Sequence, residues 1–259
     1  MAVAHISGKA INYNLLFRRL HKWLALFVGI QLVMWTISGF IMSYVPIEEV
    51  HGDHLWDKQV KPGVVKPADV AFPLSALMAK YGAGNITAIR LFSRDGKAAY
   101  EVGIGKERLY LDAGNGEVMA PVTAQHAVAI ARKAYRGTGQ YKSIEYISDP
   151  AQYSEIRGHD LPLWKVNFAD DVATSLYVSP DMARVTTARS DIWRRYDFFW
   201  MLHIMDYEER EDFNNALLVF AASVALFIAV SGILLIFYSF GRKDFRWVGK
   251  WNFRGIIWK

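Results

Sequence analysis

Two charge-free apolar runs, 23–47 and 213–241, bracket a polar middle of about 165 residues. A bilayer core about 30 Å thick is crossed by roughly 20 helical residues. Both runs exceed that length, so the pattern predicts two transmembrane helices. The first run has no small-residue cleavage site and continues into Tyr44-Val45-Pro46-Ile47-Glu48-Glu49. It reads as an uncleaved signal anchor.

Between the runs, the hydrophobic period switches back and forth between helix and strand. A helix is expected over 73–81, with Leu74, Leu77 and Met78 on one face. Strands are expected over 86–91 and 98–104, joined through Ser93-Arg94-Asp95-Gly96. Two more, 108–112 and 117–120, flank Ala113-Gly114-Asn115-Gly116. The order then recurs as a helix over 123–135, strands over 143–148 and 163–168, and a pair over 175–178 and 183–187. Leu109-Tyr110-Leu111 aligns with Leu176-Tyr177-Val178, 67 positions later, and Val118 aligns with Val185 at the same offset. The expected fold is therefore membrane α-helical with two transmembrane helices, plus an α+β domain of two tandem units, each a helix on an antiparallel sheet.

Charge sets the orientation. Lys9, Arg18, Arg19 and Lys22 precede the first run, and Arg242, Lys243, Arg246, Lys250, Arg254 and Lys259 follow the second, opposed by Asp244 alone. Basic flanks stay in the cytoplasm. The expected layout is a cytoplasmic tail (1–22), a crossing (23–47), a periplasmic domain (48–190), an amphipathic juxtamembrane helix (191–212), a crossing (213–241) and a cytoplasmic basic tail (242–259). The sequence pI of about 9.2 thus reflects topology and gives no argument for nucleic acid. Cysteine is absent, which excludes disulfides and thiolate metal sites.

Histidines stand at both runs. His21 precedes the first, among Arg18, Arg19 and Lys22. It reads either as an interfacial polar residue or as an axial haem ligand. His203 shares a helical stripe with Trp193, Tyr196, Trp200 and Tyr207. An amphipathic surface helix explains those aromatics, whereas aromatic walls around an imidazole also suit a haem edge. The charge rule puts the two histidines on opposite membrane faces, so one iron cannot take both. His51 and His54 lie in Glu48-Glu49-Val50-His51-Gly52-Asp53-His54. That stretch reads as a solvated loop, as a source of a second ligand for His203, or as an iron-gathering site. Ferric iron is a hard cation that prefers oxygen ligands, which makes Glu48, Glu49, His51 and Asp53 the candidate Fe³⁺ residues. A second acidic run, Asp206, Glu208, Glu209, Glu211 and Asp212, precedes the second apolar run. Gln31 is the one amide deep in the first run, where polar groups are expensive.

The helix, strands and hairpin ending in Tyr110-Leu-Asp-Ala-Gly-Asn-Gly-Glu-Val118 resemble the PepSY module. Phe17-Arg-Arg-Leu-His-Lys-Trp-Leu-Ala-Leu26 with Ser38-Gly39, and Leu202-His203 ahead of a helix with Ser231-Gly232-Ile233, resemble the helices of PepSY-associated transmembrane proteins. The short, two-span VciB-type ferric reductases are the most similar among them. The resemblance implies a haem b protein of a bacterial inner membrane that passes electrons from quinol or a membrane donor to periplasmic Fe³⁺. It implies haem ligands at His21 and His203, with His54 the preferred outer partner, and a functional link to a ferrous iron transporter. Because many such proteins have four spans, it also makes a homodimer attractive. No Gly-x-Gly-x-x-Gly fingerprint follows a strand, so nicotinamide oxidation by this chain is not expected. A PepSY binding or inhibitory module without redox activity, and an electron-transfer subunit of another oxidoreductase, are the alternatives.

Overall fold

The computed structural model describes residues 13–58, 63–149 and 154–239. The chain divides into two compact units, 1–40 with 199–259, and 41–198.

Two long helices dominate the first unit. Helix α1 (Tyr13–Tyr44) runs for 32 residues. Its segment Lys22–Tyr44, with mean hydropathy 2.0, is long and apolar enough to cross a membrane. Trp23, Phe27, Ile30, Val33, Ile37 and Phe40 along it are all exposed, a stripe that suits lipid and not water. The helix stops before the end of the apolar run because Pro46 has no N–H to give and disfavours helical geometry at Val45. The last helix of the chain, named α6 below, covers Ala216–Ser239. Its apolar part within the described residues is Ala216–Val230. It starts three residues later than the apolar run, because Asn215 Oδ1 accepts the Leu218 N–H and caps it there. Residues 240 and 241, and the basic tail, lie outside the described residues, as do the first twelve.

The second unit begins with the end of α1 and the single turn α2 (Ile47–Val50), then builds two helix-on-sheet layers. In the first, α3 (Leu74–Tyr81) precedes β1 (Ile86–Arg94), β2 (Lys97–Ile104) and β3 (Glu107–Asp112), an antiparallel sheet in the order β1-β2-β3. Arg94 pairs with Lys97, leaving Asp95-Gly96 as a two-residue turn with φ +53° and +83°. Asp-Gly is favoured in turns that need positive φ at both positions. Leu77 packs against Ala98, Tyr100, Val102 and Leu111.

In the second layer, α4 (Ala124–Ala134) precedes β4 (Gln140–Ile147), β5 (Leu163–Ala169), β6 (Ser175–Ser179) and β7 (Arg184–Arg189), in the order β4-β5-β6-β7. The α4 residues buried against the sheet are Ala127, Ala131 and Ala134, packed on Val166, Phe168, Leu176 and Val178. Alanines at helical spacing let the helix approach closely. Leu111 bridges Val118 in the first layer, and Val178 pairs with Val185 in the second. Both pairs keep the 67-position offset. Residues 117–120 make only that one bridge and not the expected strand, because Asp112 and Asn115 side chains take the Gly114 and Glu117 N–H groups into a tight turn.

Helix α5 covers Asp191–Ile204, eight residues short of the expected 191–212. Met205 sits at φ +55°. The Asp206 carboxylate accepts the backbone N–H groups of Glu208, Glu209, Glu211 and Asp212. A short side chain offering the backbone this alternative competes with helix. Tyr207 therefore leaves the aromatic stripe of Trp193, Tyr196 and Trp200.

Candidate functional site

His203 lies in the last turn of α5, within the first unit, and is half-buried. The helix end is held by side chains. Trp35 Nε1 donates to the His203 carbonyl at 2.8 Å, and Asn215 Nδ2 donates to the Ile204 carbonyl at 2.9 Å. These carbonyls have no partner inside their own helix. Trp200 Nε1 donates to the Arg210 carbonyl at 3.1 Å and its ring meets Phe213 edge-on.

The ring of His203 is oriented by α1. Its Nδ1 is 2.9 Å from the hydroxyl of fully buried Ser38. That hydroxyl lies 2.7 Å from the Met34 carbonyl and 3.2 Å from the Trp35 carbonyl. A serine has one hydrogen to give, and the Met34 carbonyl receives it. With the hydrogen on the shorter contact, to the Met34 carbonyl, the remaining lone pair meets Nδ1, which assigns the imidazole proton to Nδ1. Nε2 keeps its lone pair and has no hydrogen-bond partner among the described residues. A ligating histidine needs this arrangement, with one nitrogen unprotonated and the other N–H fixed by a neighbour. In that tautomer His203 would be able to hold a haem iron through Nε2. Gly39 flanks the same ring, and a Cβ there would stand 3.6 Å from Cε1.

His21 is a position of α1, seventeen residues before Ser38. At 1.5 Å per residue that is about 25 Å of helix. Gln31, on the same helix, is buried, and its Nε2 has no partner among the described residues.

His51, His54, Glu48, Glu49 and Asp53 belong to the second unit. Glu48 and Glu49 are exposed on α2, His51 ends that helix, and His54 is exposed in the following turn. Asp53 forms an ion pair with Lys58. Among the described residues, no three His, Asp or Glu side chains are grouped to hold a metal ion. Of the second acidic run, Asp206 organises its loop. The Asp212 N–H, with those of Glu211, Glu208 and Glu209, holds its carboxyl below the usual range. The bonds persist above that range and are lost as pH falls through the lowered value. Asp206→Ala is expected to speed amide exchange at 208, 209, 211 and 212, read by hydrogen–deuterium exchange, while α5 amides stay protected. Unchanged exchange there would refute the role.

A family model described as PepSY-associated TM region matches residues 18–258. The chain belongs to this family. No curated protein and no solved structure matches it. Membership makes this PepSY-associated chain a membrane protein, in keeping with the apolar, outward-facing side chains of α1. Two groups escaped the sequence reading of it. Ser38 was legible only as part of a Ser-Gly pair, with nothing to tie it to His203. Glu155, in the 3₁₀ turn Ser154–Ile156, stands in a stretch without periodicity, yet it gathers Tyr177, Arg194 and Lys165.

Proposed function

We propose that this PepSY-associated protein is a haem b reductase of a bacterial inner membrane, passing electrons from quinol or a membrane donor to periplasmic ferric iron. The observation that supports it most is the Ser38–His203 hydrogen bond, which leaves Nε2 free to ligate. In this reading α1 and α6 are both crossings and both termini are cytoplasmic. The second unit is a periplasmic pair of PepSY-like units, as the shared offset of Leu111–Val118 and Val178–Val185 favours. His203 holds haem on the outer side and His21 on the inner side, and a second copy of the chain would complete the outer site. The type is that of the two-span VciB-type reductases, feeding Fe²⁺ to a ferrous transporter.

When bound, haem supplies one-electron exchange with the donor and with Fe³⁺. The protein's own work is positional. Ser38 keeps the His203 proton on Nδ1, Trp35 and Asn215 fix the backbone that carries the ring, and Glu48 and Glu49 add negative charge that attracts a cation. The test is the absorbance of the detergent-purified protein, oxidised and after dithionite, followed by reduction of ferric citrate. A Soret band with reduced α and β bands, and reoxidation by ferric citrate, are expected. A colourless protein overturns the proposal in favour of a PepSY binding module. A coloured one that ferric citrate does not reoxidise points to an electron-transfer subunit.

A further inference from the structure

The two sheet layers of the second unit leave a cleft of about 710 Å³ between them. Its walls come from the β1–β2 turn, the end of α4, the start of β7 and the Gly158-His159-Asp160 segment. Arg94 fixes the layers beside it. Its Nη2 donates to the carbonyls of Ala120 at 2.6 Å and Pro180 at 3.0 Å. Arg108 of β3 pairs with Asp160 at 2.5 Å.

The charges in the cleft are not balanced. Of its three carboxylates, Asp57 pairs with Arg136 and Asp160 with Arg108, both outside the lining, while Asp95 lies 3.0 Å from His126 Nε2, which neutralises it only when protonated. Lys58 pairs with Asp53. Lys133 on α4 and Arg184 on β7 also line the cleft, both exposed, and among the described residues neither has an ion-pair partner. His159 adds a neutral donor. Its Nε2 faces the Arg189 guanidinium at 3.4 Å, and an arginine only donates, so the ring proton sits on Nδ1. Burial, helped by the Arg189 charge, lowers its pKa and keeps it neutral near pH 7. Trp56, Ile130, Met182 and Val185 complete the lining with apolar surface.

We infer that this cleft binds a small organic polycarboxylate. Two unpaired cations on different elements call for a ligand with more than one negative group. The apolar surface calls for a carbon skeleton between those groups. A cleft of several hundred Å³ with a few convergent polar groups is the usual form of a small-molecule site, and it is far too large for a bare inorganic anion. This inference goes beyond the haem reading and does not depend on it.

The test is calorimetric titration of the full-length protein in detergent micelles at pH 7.5, with citrate as probe and inorganic phosphate as the comparison. Saturable citrate binding that weakens with added salt is expected, with phosphate much weaker. Lys133→Ala and Arg184→Ala are each expected to weaken citrate by about tenfold, the worth of one charged hydrogen bond. Lys133→Arg, and Lys142→Ala outside the lining, should leave it nearly unchanged. Both alanine changes are at exposed positions, so they should leave the fold intact, and an unchanged thermal midpoint confirms it. Absence of citrate binding, phosphate binding as tight as citrate, or full affinity in both alanine variants each overturns the inference.

Discussion

On the proposed haem reading, purified His203→Ala protein is expected to lose the absorbance of an outer haem, while one held through His21 would remain. Haem content per chain should fall by about half, and ferric citrate should no longer reoxidise the dithionite-reduced protein. Ser38→Ala provides the graded companion. It removes the acceptor for Nδ1–H but leaves Nε2 in place. Outer partners of ligating histidines typically contribute 10–100-fold in affinity, so about tenfold weaker haem retention is expected. A ligand that has lost its acceptor is less basic and stabilises ferric iron less, so the midpoint potential should rise. A protein merely loosened at α5 would lose haem without that shift. Wild-type haem content in both His21→Ala and His203→Ala would remove both histidines from the ligand set.

Glu155→Gln is expected to destabilise the second unit by about 3 kcal/mol, within the range for removing one partner of a buried charge cluster. The Glu155 side chain is only 18% exposed. It accepts from Tyr177 Oη at 2.5 Å and Arg194 Nε at 2.8 Å, and it lies 3.5 Å from Lys165 Nζ. Burial alone would raise its pKa. The Arg194 and Tyr177 hydrogen bonds and the charges of Lys165 and Arg194 outweigh burial and hold it at about 2, below the ordinary 4.5. The carboxylate therefore stabilises the fold fully above pH 4.5, and that contribution is lost as pH falls through 2. Glutamine keeps part of the hydrogen bonding but leaves the cations unneutralised, so the variant should lose this acid dependence. Chemical denaturation followed by tryptophan fluorescence, repeated from pH 6 to pH 2, measures both effects. An unchanged midpoint at pH 6 would show that the cluster does not hold the unit together.

Local rules were legible where the chain acts on its near neighbours. The apolar run of α1 and the Asp95-Gly96 turn come from residues a few positions apart, and the structure keeps both. Boundaries shifted where one side chain competes with a periodic pattern, as Asp206 does after α5 and Asp112 does after β3. The site was legible as a histidine but not as an oriented one. Ser38 and His203 are 165 positions apart, and no periodicity links a serine in one helix to an imidazole at the end of another. The cleft escaped for the same reason. Lys133 and Arg184 read as solvated surface charges until the layers that bring them to one cavity are in place.

The strand order has a consequence for how the chain assembles. Both sheets are meanders, in which every strand pairs only with its neighbours in sequence. Such pairings close short loops, and low separation between contacting residues favours fast folding. The first sheet needs nothing beyond Asp112, so a growing chain can close it before Gln140 is made. With no cysteine in the sequence, neither sheet waits on oxidation or on an isomerase to sort disulfides. Each half can bury its own apolar face early, which shortens the time that unpaired strand edges are exposed to aggregation.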